Sequence, residues 1–468
     1  MRAIETRDFG GRPVAVFGLG KSGLAAARAL LASGAHTWAW DDDEGRRRVA
    51  GAEGIELVDL YRCDWREPAA LILSPGIPHT HPRPHVVAAR ARDAGAEIIG
   101  DVELLVRSSP RARYVGVTGT NGKSTTTALI GHILRRGGIK VAIGGNLGTP
   151  ALELDALGED GTYVLELSSY QLELTPSLTL AIAVLLNITP DHLDRHGGMT
   201  GYVAAKRRIF ARLNGPRAAI IGIDDEHGRA IAAELAAAGE AKVIPISGRE
   251  RAAGGVYAID GRLYDDLAGA GAEVLDIGAV PTLPGAHNGQ NAAAAYAAAK
   301  LAGLNRAAIT GGIASYPGLP HRQELVATLE GIRFVNDSKA TNADAAAKAL
   351  ASYDTVYWIA GGRPKEGGIN SLGPWFGRIA HAFLIGEAAP DFARTLAGHV
   401  DTTVAGTLEA ALAAAFALAR REMRPKAVVL LSPACASFDQ FANFEARGAA
   451  FRDLVRGLAT PATAGGAR

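Results

Sequence analysis

The chain has 468 residues, too many for one ordinary core and enough for two or three domains. Its 49 Lys and Arg against 48 Asp and Glu leave a formal charge of +1, which excludes the global basic field of a nucleic-acid-binding protein. With 48% hydrophobic and 21% charged residues the composition is globular, and the two cysteines, Cys63 and Cys435, make no disulfide framework and fit a reducing compartment, the cytoplasm.

The start, MRAIETRDFGG, mixes charges of both signs and lacks the apolar core of a signal peptide. From Pro13, VAVFGLG reads as a strand, KSGLAAARALLASGA as a helix and WAW as a second strand closed by Asp41, Asp42 and Asp43. GLGKSG, with Gly18, Gly20 and Gly23 after a strand and Asp41 closing the next, fits the dinucleotide fingerprint. Alone it would point to a nicotinamide-dependent oxidoreductase, although the same geometry holds the diphosphate of any nucleotide. ALILSP at 70–75 and EIIG at 97–100 extend the α/β pattern to about residue 106, where a first domain, 1–106, is expected to end.

The central region, 107–311, opens with VGVTGTNGKSTTTALI: a buried strand, a Gly-rich turn and a helix. Gly119 and Gly122 allow positive φ, so that the backbone NH groups of Gly119, Thr120, Asn121 and Gly122 can close around phosphate at a helix N-terminus. Lys123 adds a charge for the outer phosphates, and Ser124 or Thr125 offers a hydroxyl to magnesium. The loop is a variant, because the strict phosphate-loop pattern has glycine where this chain has Val117. KVAIGG, TYVLELSS and the near-continuous apolar AIAVLLN read as strands of a mainly parallel sheet. A weaker, Gly-rich part at 251–280 precedes the helix of QNAAAAYAAAKLAGL.

Glu166 leaves one of these strands within reach of a metal beside the loop. NITPDHLDRH, with Asp191, His192, Asp194 and His196, suits metal ligation and a hydrogen-bonded loop equally by spacing. GYVAAKRRIF puts Lys206 on a helix whose Lys-Arg-Arg run reads, on charge alone, as a solvated face. The third region, 312–468, repeats the alternation with GIRFVND, TVYWIAGG, HAFLIG and KAVVLLSP. Its polar clusters are PHRQE, with Arg322 able to clamp phosphate or carboxylate, NDSKATN, GGRPKEGG and SPACASFDQFANFEARG. The apolar run ALAAAFALA at 411–419 is far short of the roughly 20 residues that span a bilayer, and the tail after Leu458 is expected to fray.

In order along the chain, TGTNGKST, ELSSYQLE, NITPDHLDRH, YVAAKRRIF, HNGQN, PHRQE, NDSKATN and SPACASFDQF resemble the Mur ligases of bacterial peptidoglycan synthesis. TGTNGKS is shared with folylpolyglutamate synthetase, whereas NDSKATN and SPACASFDQF resemble the family members that add D-glutamate. The DNPR-type motif of members that add diaminopimelate or lysine is absent from the sequence. The resemblance implies three tandem α/β domains: a Rossmann-like first domain for the UDP part of the substrate, a central phosphate-loop ATPase domain with a mainly parallel sheet, and a Rossmann-like C-terminal domain for the amino acid. It also implies a cytoplasmic monomer that needs no NAD and no membrane insertion.

The reaction so implied joins D-glutamate to UDP-MurNAc-L-Ala with ATP, through an acyl phosphate. Carried over residue by residue, Gly20, Lys21, Ser22, Asp41, Ser74 and Gly76 face the UDP part, and the loop from Gly119 to Thr125 with Asn291, Arg322 and Asp337 takes ATP. Lys123, Asn146, His192 and Lys206 stand at the reacting groups. Ser124, Glu166, His192 and Lys206 hold two Mg²⁺ ions, Lys206 as the carbamate it forms with CO2. Lys339, Thr341, Lys365, Ser437 and Phe444 match the D-glutamate pocket, and the two lysines suit its two carboxylates; the loop before Lys365 varies in the family. The resemblance further implies that the C-terminal domain swings about the region near residue 312 before chemistry. A switch or transport ATPase, hydrolysing ATP without a UDP-sugar, is the alternative in another class.

Overall fold

The computed structural model describes residues 4–6, 9–365 and 367–459; part of the N-terminal start and the tail expected to fray, from residue 460 on, lie outside them. One compact unit runs to Ile277 and resumes over His287–Ser315, and the other comprises Gly278–Ala286 and the chain from Tyr316 on. The first unit contains two sheets and the second contains one.

The first sheet is parallel throughout, with strands β1 (Val14–Phe17), β2 (Thr37–Trp40), β3 (Glu56–Leu57), β4 (Ala70–Leu73) and β5 (Glu97–Ile99) in the order β3-β2-β1-β4-β5. The second contains β6 (Arg113–Thr118), β7 (Val141–Gly145), β8 (Thr162–Glu166), β9 (Leu180–Leu185), β10 (Leu213–Gly222), β11 (Lys242–Ser247), β12 (Val256–Ile259), β13 (Arg262–Asp265) and β14 (Ala272–Asp276). Their order is β14-β13-β12-β11-β10-β9-β6-β8-β7, parallel except for the last two pairings at the β14 edge. One continuous apolar core, from Val14 and Ile99 through Leu105 to Tyr163, Leu180 and Ile221, serves both sheets, which is why they form one unit.

The sheet of the second unit orders β15 (Glu324–Leu329), β16 (Ile332–Asn336), β17 (Thr355–Gly361), β18 (Ile379–Ile385), β19 (Thr402–Gly406) and β20 (Ala427–Leu431) as β15-β16-β20-β17-β18-β19, with only the β15–β16 pair antiparallel. Alternate residues of β17 go to opposite faces: Val356, Trp358 and Ala360 join one core, Tyr357 and Ile359 the other. A strand covered on both sides needs the unbroken apolar run VYWIA, and each large side chain buried there contributes about 1.5–3 kcal/mol.

The boundaries expected at 106/107 and 311/312 fall within the helices Asp101–Ser108 and Arg306–Ala314. The latter packs on the helix Lys123–Arg136, so closely that a Cβ on Gly312 would lie 3.0 Å from Ile133, and the second unit begins only at Tyr316. The Gly-rich part at 251–280 is the antiparallel meander of β12, β13 and β14.

In the first sheet the strand order reverses once, between β1 and β4, and in the other two it reverses twice; the loops that flank a reversal at the carboxyl ends of strands are where such folds bind ligands. Those loops follow β1 and β4, then β6, β8 and β9, then β16, β20 and β17.

Candidate active site

The helices Lys21–Ala32 and Lys123–Arg136 begin at Gly20 and Gly122, with no side-chain cap and no acid in the first turn. By contrast Asp43, Asp225, Asn305, Asn342 and Thr407 cap the helices that follow them. No cap side chain closes either N-terminus, and the positive dipole end of each suits an anion. Arg135 and Arg136 at the far end complement the dipole of the second helix.

Gly119 (φ 150°) and Gly122 (φ 85°) bend the phosphate loop. A Cβ on Gly119 would lie 3.0 Å from Leu186, and one on Gly122 only 2.3 Å from Asn291 Oδ1. Lys123 curls back, its Nζ donating to the carbonyls of Gly119 and Thr120 at 2.9 Å each. Ser124 is buried behind it and Thr125 half-buried.

Lys206, on the helix Met199–Arg207, is 2% exposed and donates from Nζ to the same Gly119 carbonyl at 2.8 Å. The solvated face suggested by its Lys-Arg-Arg run is therefore corrected: Tyr202, Ala205 and Lys206 form the inward face. The Tyr202 ring lies 4.6 Å from the Lys206 amine, and the Tyr202 hydroxyl is 3.1 Å from Thr120 Oγ1. Burial first, and Lys123 second, push the Lys206 ammonium down to about 7 against the pull of Asp191 and Glu166. An amine in that range is substantially neutral at physiological pH, the form that attacks CO2.

Glu166 ends β8, in register with Val117 of β6 and Gly145 of β7. Its Oε1 accepts from Asn146 Nδ2 at 2.6 Å, whereas Oε2 is buried and meets no donor. An orphaned carboxylate oxygen costs roughly 1–3 kcal/mol, and a cation would relieve it. Among the described residues no three His, Cys, Asp or Glu side chains converge as a metal cage. The orphaned Glu166 oxygen has the hard-oxygen chemistry that magnesium takes, and Glu166, with a hydroxyl of the phosphate loop such as that of Ser124, would hold such an ion.

His192 sits at φ 51° before the short helix Leu193–His196, exposed, with Nε2 3.5 Å from Asp191 Oδ2 and its ring 5.3 Å from that of Tyr170. His196 is buried on the same Tyr170 ring and hydrogen-bonds Ser169 Oγ at 2.9 Å, and burial followed by the charge of Lys206 pushes its pKa down to about 4. The cluster 191–196 thus divides into an exposed His192 and a structural His196.

Asn291 packs behind the phosphate loop, its Oδ1 accepting from Thr126 Oγ1 at 3.1 Å. Asn187 is a residue the sequence reading passed over. Its Oδ1 accepts from Asn121 N at 2.9 Å, its Nδ2 donates to Asn121 O at 3.2 Å, and its carbonyl accepts from Thr120 N at 2.8 Å. The available signal was an Asn two residues past the end of a buried strand that borders the loop's own strand. Arg195, also passed over, donates from Nη1 to Gly76 O at 2.6 Å and lies over the Tyr170 ring, linking the loops of the first two sheets.

In the first sheet, Gly18 and Ser74 meet across the β1–β4 crevice: a Cβ on Gly18 would lie 2.7 Å from Ser74 Cβ. Gly20, Lys21 and Ser22 open the helix at its rim, and Gly76 follows Ser74. Both Asp41 oxygens are engaged, Oδ2 with Leu19 N at 2.6 Å and Oδ1 with Asp43 N at 2.8 Å. Burial opposes its charge, but these bonds and Arg46 hold the pKa below the usual carboxylate range. Asp41 is thus committed to shaping the glycine loop, not turned outward as a nicotinamide fingerprint requires of its acid.

In the second unit, Lys339 Nζ lies 5.1 Å from the centre of the Phe444 ring, and Thr341 N donates to Lys339 O at 2.8 Å. Ser437 is buried, its carbonyl accepting from Phe441 N at 2.8 Å. Reciprocal backbone bonds between Arg363 and Ala436, 2.9 and 3.1 Å, bring the loop of exposed Lys365 beside that of Ser437. Asp337 is buried: Oδ2 accepts from Ser432 Oγ at 2.8 Å, Oδ1 from Gln323 N at 3.2 Å, and burial pushes its carboxyl up to about 7. Arg322, half-buried, is among the charges that oppose that rise.

The loop after β6, two lysines on one of its carbonyls and an open helix N-terminus make the first unit an α/β phosphate-loop enzyme. Residues 117–299 match the family description "Mur ligase middle domain" and residues 321–435 "Mur ligase, glutamate ligase domain". The chain is 54% identical over 463 residues to the UDP-N-acetylmuramoylalanine–D-glutamate ligase of Rhodospirillum rubrum, covering 98% of this chain and 97% of that one. It is 54% identical over 462 residues to the ligase of the same name from Phenylobacterium zucineum, covering 97% and 98%. A UDP-N-acetylmuramate–alanine ligase structure from Thermotoga maritima shares the fold, with TM-score 0.61 at 16% identity over 96% of this chain and all of that one. The chain belongs to the Mur ligase family.

Proposed function

We propose that this protein joins D-glutamate to UDP-N-acetylmuramoyl-L-alanine at the expense of ATP, in the synthesis of peptidoglycan precursors. The observation that carries the reading is its near full-length identity with ligases so named. In this reading it acts in the cytoplasm, as a monomer; both cysteines are free, and among the described residues no helix is long and apolar enough to cross a membrane.

The chemistry starts from two anions that repel. A carboxylate is a poor electrophile, so one oxygen of the alanyl carboxylate attacks the γ-phosphorus of ATP, the bond to ADP breaks, and an acyl phosphate forms. The D-glutamate amine, having given up a proton, then attacks the acyl carbon, and phosphate leaves with the carboxylate oxygen. Lys123, drawn from the Gly119 and Thr120 carbonyls to the outer phosphates, neutralises charge in the first step, and the NH groups from Gly119 to Thr125 cradle the phosphate chain. Asn146 holds the Glu166 carboxylate in place, and exposed His192 stands at the substrate carboxylate. Magnesium, held in this reading by Ser124, Glu166, His192 and the Lys206 carbamate as a pair of ions, supplies the remaining positive charge.

Gly20, Lys21 and Ser22 receive the UDP diphosphate, Ser74 and Gly76 line the same nucleotide, and Asp41, which shapes the glycine loop, lies near its uracil end. Asn291, Arg322 and Asp337 serve the ATP site, Asn291 through the phosphate loop it backs. Lys339, Thr341, Lys365, Ser437 and Phe444 take D-glutamate; a neutral amino acid would leave lysine charge unpaired there. The domain limits we propose remain near 106 and 312.

The test is phosphate release from ATP and magnesium with UDP-MurNAc-L-Ala and, in parallel, D-glutamate, L-glutamate, L-lysine, diaminopimelate or no amino acid. Release with D-glutamate alone, giving a product heavier by one glutamyl residue, is the expected result. Release with another amino acid overturns the pocket assignment, and release with none makes the protein an ATPase of another kind.

A further inference from the structure

The helix Phe444–Ala459 carries a side chain that neither the fold nor the proposed reaction has yet employed. Arg447 is 1% exposed. Its guanidinium donates from Nε to Ser338 Oγ at 3.0 Å, from Nη2 to the carbonyls of Ser338 at 2.9 Å and Cys435 at 3.1 Å, and from Nη1 to the carbonyl of Ala436 at 3.3 Å. All four acceptors are neutral. A buried arginine is ordinarily paired with a carboxylate, because an unpaired charge is expensive away from water. Burial pushes this one down to about 10, which leaves it charged at neutral pH, and Asp439 favours that charge without bonding to it.

The acceptors belong to two loops. Ser338 follows β16 and Cys435–Ala436 follow β20, its neighbour in the sheet. The loop after β17 joins them through the Arg363–Ala436 bonds, and a Cβ on Gly362 would lie 3.1 Å from Arg447 Nη1. Ser338 Oγ, while accepting from Arg447, donates to Phe444 O at 2.8 Å, which ties in the start of the helix itself. Lys339, Thr341, Ser437, Lys365 and Phe444 all hang from segments gathered on this one fork.

We propose that Arg447 is the positioning residue of the amino-acid pocket: it sets three strand-end loops in register and places a fixed, unneutralised charge behind a site that accepts an amino acid with two carboxylates. This rests on the amino-acid site assigned under the proposed function. Arg447 itself touches no substrate. A lysine at the same place keeps the charge but cannot reach three carbonyls and a hydroxyl in one plane.

The experiment uses the full chain with Arg447→Lys and Arg447→Met, and measures the KM for D-glutamate, for ATP and for UDP-MurNAc-L-Ala separately by phosphate release. We expect Arg447→Met to raise the KM for D-glutamate by about tenfold or more, as loss of charge-assisted bonds would, with the other two KM values within about twofold. Arg447→Lys should fall between. A D-glutamate KM that stays put, or three KM values that move in parallel, overturns the proposal. Should Arg447→Met not fold, as thermal unfolding would show, Arg447→Lys carries the same split. If the unsubstituted chain proves to use another amino acid, the D-glutamate reading fails while the KM split is read with that amino acid instead.

Discussion

Gly122→Ala tests the phosphate loop by the smallest possible change. Two penalties follow from its position. The residue sits at φ 85°, in the left-handed region, where a side chain costs about 1–2 kcal/mol. Its new Cβ would lie 2.3 Å from Asn291 Oδ1, whose hydrogen bond to Thr126 must then break or shift at about 1–3 kcal/mol. If the loop relieves both by opening, the nucleotide-competent form becomes rarer by the same free energy, and the apparent affinity for ATP falls by about thirtyfold or more. Gly138→Ala is the internal control: it lies just beyond the same helix at φ 83°, with nothing within 4 Å of a new Cβ, and carries the backbone penalty alone. Titrating a fluorescent ATP analogue into both variants, with thermal unfolding alongside, separates the two effects. The expected outcome is a small loss of stability in both and a large loss of nucleotide affinity in Gly122→Ala only. Equal affinities in the two variants would refute the claim that contact with Asn291 shapes the loop.

Glu166→Gln should lower kcat by more than about a hundredfold without lowering the unfolding temperature by more than about 3 °C, because a buried oxygen lacking a donor is lost with the charge. A magnesium dependence of activity unchanged in this variant would remove Glu166 from the metal site. Lys206→Ala should abolish activity and recover part of it with a small carboxylate such as formate. With 13C-labelled CO2 the unsubstituted protein should show a carbamate resonance that the variant lacks, as neutral amine and CO2 give carbamate and a proton; no such resonance would sink the assignment. Asp337 tests the sign of a buried carboxyl. Raised from 3.8 to about 7, it is protonated in the fold and ionised in the unfolded chain between those values, so its contribution is full at low pH and is lost as pH rises through about 7. Unfolding temperatures of Asp337→Asn and the unsubstituted protein should therefore diverge, in the variant's favour, from about pH 4 to pH 7; parallel profiles would count against burial as the cause.

Long apolar runs announced themselves in the sequence, since strands covered on both faces, such as β9, β17 and β20, have no room for polar residues. Short or exposed strands did not: β3 is two exposed residues and β19 is mostly exposed, held by pairing to a neighbour rather than by pattern. The phosphate loop was legible because its chemistry is local, with glycines, lysine and hydroxyls within eight residues. Partners that act from elsewhere in the chain were harder to find. Asn187 splints Asn121 from 66 positions away, and Arg447 reaches Ser338 across 109, and neither distance leaves a trace in spacing. Charge patterning misled outright at Lys206, where a run of three cations suggested solvent although the first of them faces inward.

The two lysines that meet at the Gly119 carbonyl bear on how inhibitors of this protein would be found. Burial first, and then Lys123, which is shared between the Gly119 and Thr120 carbonyls, disfavour the charged form of Lys206 at this point. Any compact polyanion that reaches Lys123 and the helix N-terminus beside it raises the unfolding temperature, whether or not it resembles a substrate. A thermal-shift screen will accordingly rank polyphosphates and polysulfonates first. Compounds that loosen the loops gathered by Arg447 will register weakly or with the opposite sign, so a screen for them should follow turnover at rising D-glutamate instead.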